Sequence, residues 1–393
     1  MVESGEERCV SGHEVQIFER GGRRKLHTLL DLSEVKWARA RSTKTQASVR
    51  ISARACDRQG RVLTSIQARR HELVVFRGGR RVWEGPIEQV RTGPSGAYIL
   101  ANDVMHYLDK NPLAKAWPGP DAGGPPLMTD RVRQILQSEL VTAYTMQTNA
   151  GPVVVPRWEG VDPPVNVLPY LEVRDGLVQT TSSTAAFQMT IGEHLANLVE
   201  SGLDYVVVGR KIVFWDSANA IGKLGRKLTE ADFSGEPEVV LDGSSFWSIS
   251  HAVGQATEDP ETGELLPPPV GNAGAVDPYY GVWTDLHTLE DEGGEEAPTQ
   301  SALNTHAQRR QLGHDGVVPT AINMPQGVGI RLSDTVTVDH LVPGTIVPVA
   351  ARFNLRTVSQ DQLLEAVDVT ETGASETIGV TLVPSGGVEV TAA

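Results

Sequence analysis

Cysteine is nearly absent from this chain: Cys9 and Cys56 are the two among 393 residues. That is too few for a disulfide framework, so folding in a reducing compartment is the expectation. Aromatic residues are scarce as well, at 5%. No stretch approaches the roughly 18 consecutive apolar residues of a membrane helix. The opening MVESGEERCVSGHE is charged where a secretory signal needs an apolar core. Together these absences lead to the expectation of a soluble chain, synthesised in the cytoplasm, with no stable membrane insertion.

Chemistry-bearing patterns are missing too. GKLGRK, from Gly222, has neither the spacing nor the final Lys-Ser/Thr of a phosphate-binding loop. His287, His306 and His314 share a polar region without the spacing of a helical metal pair. Asp315 follows His314, yet no Gly-x-Ser-x-Gly elbow supplies a nucleophile. Nothing singles out, among 49 acids, the two that a glycosidase needs. The reading is of a chain with no catalytic, cofactor-binding or metal site.

What is abundant is turn chemistry. Glycine (39) and proline (24) punctuate a sequence that is 40% apolar, which points to many short strands. Two stretches nearly repeat each other, HEVQIFERGGRRKLHTL from His13 and HELVVFRGGRRVWEGPI from His71. Each reads as a β-hairpin, turning at Gly21-Gly22 and at Gly78-Gly79. In the second, Leu73 and Val75 share one face while Val74 and Phe76 share the other, so this hairpin is expected to be the more central. TQASVRISARAC alternates from Ala47 to Ala55 with period two, a strand pattern, and PIEQVRTGPSGAYILAND adds two strands around a Gly-Pro-Ser-Gly turn. At least six strands before residue 105 call for a small barrel or sandwich.

Asn111–Leu127 is rich in Pro and Gly and reads as a junction. TDRVRQILQSEL follows as a helix with Thr129 expected at its N-cap. Thr190 and Glu193 form a capping box with Gly202 as the stop. DYVVVGRKIVFWD makes a third hairpin at Gly209-Arg210, so helix and hairpin give an α+β unit. Gly254–Glu296 reads as loops, TQSALNTHAQRRQLG as a short helix, and the chain from Val317 as strands again. The expected fold class is mainly β with an α+β insertion: two β-barrel or sandwich domains flank a smaller helix-plus-hairpin domain. The expected boundaries are 1–120, 121–235 and 236–393, the last a loop-rich segment leading to the second β domain.

The net charge of −14 conceals a division. The first 120 residues hold 21 Lys and Arg against 13 Asp and Glu, and the remainder 14 against 36. The arginines of ASVRISARACDRQGRV alternate with apolar residues, as a solvated sheet face does, and no aromatic stacking pattern accompanies them. Seven tryptophans (Trp37, Trp83, Trp117, Trp158, Trp215, Trp247 and Trp283) are dispersed through all three regions, which suits core or interface anchors rather than a carbohydrate-binding stripe.

One resemblance spans most of the chain. VKWARARSTKTQASVRI, through HELVVFRGGRRVWEGPIEQV, to LANDVMHYLD resembles the opening of minor tail proteins of long-tailed phages infecting actinobacteria, the tail hub or baseplate hub-like family. It rests on Trp37, Arg39, Ala47 and Val49, on the Glu72–Ile87 hairpin with Trp83-x-Gly85-Pro86-Ile87, and on Ala101-x-Asp103 before Tyr107-Leu108. The resemblance implies two tail-tube-like β domains around smaller insertions. It implies a homotrimer whose pseudo-sixfold ring adapts the sixfold tail tube to a threefold tip. It also implies a virion tail-tip location, with the distal tail protein, the tape-measure protein and receptor-binding or tip proteins as partners, and genomic DNA passing through without specific binding. Gly78, Gly79 and Trp83 are the interface residues expected. A sixfold distal tail ring protein and a tail-associated cell-wall hydrolase are the alternative readings.

Overall fold

The computed structural model describes residues 12–235, 238–241, 246–256, 263, 265–289, 300–311, 320–323, 328–353, 356–373 and 375–392. Cys9, His314 and Asp315 lie outside them. By its contacts the chain forms two compact units: Met1–Ile221 with Gly329–Thr345 and Leu364–Thr381, and Gly222–Val328 with Ile346–Leu363 and Leu382–Ala393. The fold is mainly β with an α+β insertion.

The first unit opens with β1 (His13–Glu19), β2 (Lys25–Leu29), β3 (Leu32–Ala40), β4 (Gln46–Ser52), α1 (Ala53–Ser65), β5 (His71–Arg77), β6 (Arg80–Gly93) and β7 (Gly96–Asn102). Their sheet runs β3-β4-β7-β6-β5-β1-β2 and is antiparallel throughout. The two similar strings therefore pair with each other, Val15 opposite Val75 and Ile17 opposite Leu73. The second hairpin is the inner one, with Leu73, Val74 and Val75 all fully buried, as two-faced burial predicts. β6 serves two partners: Val75 faces its Trp83, whereas Val90 faces Ile99 of β7. The change of partner falls at Gly85-Pro86, where a Cβ on residue 85 would lie 1.8 Å from the Asn102 carbonyl oxygen. Only glycine permits that approach.

The alternation through Ala47–Ala55 breaks earlier than its period suggests. The strand stops at Ser52, whose side chain accepts from the Ala55 backbone N–H at 3.4 Å and starts α1. Alanine fits either period, so the cap decides.

The insertion carries α2 (His106–Asp109), α3 (Met128–Glu139), β8 (Tyr144–Thr148), β9 (Gly151–Val155), β10 (Leu171–Val173), α4 (Ile191–Ser201), β11 (Leu203–Val208) and β12 (Lys211–Asp216). Helix α3 begins one residue before the expected cap: Thr129 is buried in the first turn, and the Val178 carbonyl accepts from the Met128 N–H instead. Helix α4 has the expected Thr190–Glu193 capping box and stops at Gly202. Its apolar side, Ile191, Leu195 and Leu198, packs with Val132, Ile135 and Leu136 of α3 and with Tyr205, Ile212 and Phe214 of the β11–β12 hairpin.

The second unit contains β13 (Gly222–Lys223), β14 (Glu238–Leu241), β15 (Ile249–Val253), β16 (Val270–Gly274), β17 (Thr284–Thr288), α5 (Gln300–Gln311) and β18 (Thr320–Asn323). Two of these, β16 and β17, lie in the stretch read from sequence as loop. They flank β15, antiparallel and parallel respectively, and five-residue strands among Pro and Gly leave too short a period to detect. Helix α5 packs on one side of this sheet through Leu303 and Ala307 against Ala252.

Three late strands complete the molecule, β19 (Thr345–Phe353), β20 (Arg356–Thr372) and β21 (Ser375–Ala392). From Ile346 to Leu363, β19 and β20 form a hairpin of the second unit. Beyond Leu364, β20 belongs to the first unit and pairs with β3, Val369 opposite Trp37. No sheet closes into a barrel among the described residues.

Candidate interaction surfaces

The two Gly-Gly-Arg-Arg turns have opposite surroundings. Gly78 and Gly79, both with positive φ, face open space. Arg77 beside them holds Glu376 through two hydrogen bonds of 2.7 Å, and Arg80 holds Asp339 at 2.6 Å. Trp83 is elsewhere: it is 2% exposed, and its indole N–H donates to Thr45 Oγ1 at 3.2 Å. Of the three residues singled out from sequence, the two glycines lie on the surface and the tryptophan in the core.

Gly21-Gly22 is buried. A Cβ on Gly22 would fall 1.9 Å from Glu84 Oε1, because this turn lies over two buried carboxylates. Arg210, from the turn of the third hairpin, bonds both Glu72 and Glu84. Tyr107 donates its hydroxyl to Glu72 Oε1 at 2.6 Å, and the Gly21 N–H donates to the same oxygen at 3.0 Å. Arg81 reaches Glu84 at 3.2 Å. Burial pushes the Glu72 carboxyl up to about 7, with Arg210 opposing the rise and Glu84 adding to it. The cluster joins two hairpin turns, Gly21-Gly22 and Gly209-Arg210, over the buried side chains of Glu72, Glu84 and Tyr107, with Arg81 exposed at its edge.

A second buried set fixes the insertion. Arg131 donates to His194 Nε2 at 3.0 Å and to the carbonyls of Trp117 and Pro118. An imidazole that accepts at Nε2 is neutral, and burial together with the Arg131 charge holds His194 down to about 4.

The second unit presents a face of another kind. Ser250, Ala252, Asp285 and His287 alternate toward α5, where Arg310 binds Asp285 at 2.5 Å and His306 stacks on His287 at 4.9 Å. On the other side Leu286 is 70% exposed and Asn272 is exposed. At the end of this sheet, residues 277–283 form a tight turn carrying Tyr279, 86% exposed, and Trp283, 57% exposed. Hydrogen bonds hold the turn. Asp277 and Gly281 exchange backbone bonds, and Asp277 Oδ1 accepts from the N–H groups of Tyr279 and Tyr280 at 2.8 Å. Ser248 Oγ accepts from the Trp283 N–H at 3.0 Å. The Trp283 indole N–H is spent on the Tyr280 carbonyl at 2.8 Å, which leaves its ring offered to solvent. Of the tryptophans expected to be core or interface anchors, Trp37, Trp83 and Trp215 are buried in the core, whereas Trp283 is exposed. The close spacing of Tyr279, Tyr280 and Trp283 was the available signal.

A recess lined by Arg133, Gln137, Leu168, Leu171, Glu172 and Val173 pairs no nucleophile with a base.

Solved structures match over nearly the whole chain. A 43 kDa tail protein of prophage MuSo2 from Shewanella oneidensis aligns with a TM-score of 0.53 at 12% identity, covering 94% of this chain and 98% of that one. The chain has a phage-tail-protein fold. A tail protein from Neisseria meningitidis aligns at 0.53 and 11% identity over 95% and 96% of the two chains. Prophage tail protein gp18 from Listeria monocytogenes aligns at 0.52 and 10% over 95% and 94%. No family model matches the sequence, and no curated protein does either. Both units fall within the span of the tail fold.

Proposed function

We propose that this chain is a structural component of a phage tail, serving as the hub of the tail tip. What supports the reading is the likeness of fold along the full length of three tail proteins, each covered to 94% or more. In this reading residues 1–120 and 236–393 supply the two tube-like β regions and 121–235 the insertion. Three copies form a ring that adapts the sixfold tube to a threefold tip. The distal tail protein, the tape-measure protein and receptor-binding or tip proteins are its neighbours, and genomic DNA passes through the ring unbound. The open Gly78-Gly79 tip is the part of the second hairpin available to a neighbouring copy, whereas Trp83 is buried. The role is mechanical, with no reaction assigned.

The test is light scattering over a concentration series, with negative-stain class averages of the largest species. A trimer's mass with an open ring is the expected result. A sixfold ring would transfer the chain to the distal tail ring. A monomer that releases peptidoglycan fragments, with release lost on changing one carboxylate, would replace the structural reading by a hydrolase.

A further inference from the structure

Three aspartates in this chain precede glycine, and no asparagine does. At an Asp-Gly step the side-chain carboxyl meets the least hindered of backbone nitrogens, because glycine has no Cβ to crowd it. Asp242-Gly243 and Asp315-Gly316 lie outside the described residues, whereas Asp175-Gly176 follows β10 in the insertion, in neither helix nor strand. Here the structure combines freedom at the step with constraint on either side. The Asp175 side chain is 99% exposed, and its ion pair with Arg133, at 3.1 Å, is of the exposed kind that contributes little. Among the described residues, the backbone N–H and C=O groups of Asp175 and Gly176 form no hydrogen bond. Just before them the Arg174 N–H donates to the Phe214 carbonyl at 2.9 Å, and just after them the Leu177 and Val178 N–H groups donate to Asp216 Oδ2 at 2.5 and 3.2 Å. Gly176 itself lies against that carboxylate, where a Cβ would stand 2.2 Å from Asp216 Oδ1.

We infer that Asp175 is a site of spontaneous covalent modification, where aspartate converts to isoaspartate as the folded protein ages. The Gly176 nitrogen attacks Asp175 Cγ and closes a five-membered succinimide, while the carboxyl hydroxyl and the amide proton leave as water. Closure turns the peptide between the two residues, and no backbone hydrogen bond opposes that turn. Water then adds at the main-chain carbonyl carbon of Asp175 and breaks its bond to the Gly176 nitrogen. The chain now runs through the former side chain, and the former main-chain carbonyl carries the free carboxylate. The product lengthens the backbone by a methylene directly before a residue that has no room against Asp216, so the Leu177 and Val178 N–H groups lose their acceptor. The inference is independent of ring assembly: a chain that forms no ring yet isomerises at Asp175 keeps it and loses the hub.

The experiment ages the full, folded chain in neutral buffer at physiological temperature. Samples are digested with a protease that cleaves before aspartate and not before isoaspartate, and are labelled in parallel with an isoaspartyl methyltransferase. Cleavage before residue 175 is expected to decline with time while methyl label appears in the peptide that holds the step. Asp175→Glu keeps the charge but would have to close a six-membered ring, so its peptide should stay unlabelled. Asp175→Asn should close the same five-membered ring by losing ammonia, and end with the mass gain of amide converted to acid. In the isomerised chain, separated by chromatography, the Leu177 and Val178 amides should exchange hydrogen faster than in the fresh protein. Label at this step in a urea-unfolded sample and none in the folded one would show that the fold holds the step out of reach, and would overturn the inference. An unchanged mass for folded Asp175→Asn would do the same. Unchanged exchange at Leu177 and Val178 would overturn the release from Asp216.

Discussion

At the scale of single residues, the guanidinium of Arg210 is the cation shared by the buried carboxylates Glu72 and Glu84. Replacing it by methionine leaves two carboxylates without that partner, and breaking a buried pair typically costs about 3–5 kcal/mol. Arg210→Met should therefore lower unfolding stability by that order in a urea titration at neutral pH, and by less in acid, where the carboxylates take up protons. Wild type should show its own pH dependence. Because burial raises Glu72 from 4.5 to about 7, the folded state keeps a proton between those values that the unfolded chain has released. The contribution of this group to stability thus falls as pH rises from 4.5 to about 7. Asp103, raised by burial from 3.8 to about 6, acts in the same sense over its own window. His194 acts in the opposite sense: lowered from 6.5 to about 4, it adds stability as pH rises between those values. Glu72→Gln isolates the first contribution, and wild type should lose stability relative to this variant through the Glu72 window. A difference that stays constant with pH would show that Glu72 does not titrate there.

At the scale of elements, the same residue type has different standing in neighbouring turns. Gly79 has a positive φ and open space around it, so Gly79→Ala should fold and cost about 1–2 kcal/mol for the left-handed backbone. Gly85 has no such freedom, because a methyl group there would meet the Asn102 carbonyl. Gly85→Ala should abolish the cooperative transition seen by near-ultraviolet circular dichroism. Thr190→Ala, which removes the capping box of α4, should cost about 0.5–2 kcal/mol. If its thermal midpoint equals that of wild type, the cap contributes nothing to this helix.

At the scale of the whole molecule, chain order and spatial order diverge. The strand beside β3 comes from beyond residue 364, and the Glu371 carboxylate accepts from the Gly12 N–H at 2.8 Å and bonds His13 Nδ1 at 2.6 Å. Trp37 in turn donates to His13 Nε2 at 3.0 Å. A chain ending at residue 355 should then expose the edge of β3, leave this set incomplete and aggregate. Soluble, cooperative folding of that truncation would show that β20 is dispensable to the first unit.

Local chemistry was legible in the sequence. Gly-Gly pairs between apolar runs specified two hairpins near their observed turns and Gly209-Arg210 a third, and Thr-x-x-Glu specified the start of α4, because each signal is confined to a few residues. The mainly β class followed from the same turns. Other features were decided only in three dimensions. The two similar hairpins pair with each other, and one of their alike tips is buried over Glu84 while the other stands open. β16 and β17 become strands only beside β15. Trp283 is left exposed, whereas Trp83, in a similar apolar context, is buried. Register, burial and ion pairing depend on which distant segment arrives alongside, and a run of five residues carries no record of that neighbour.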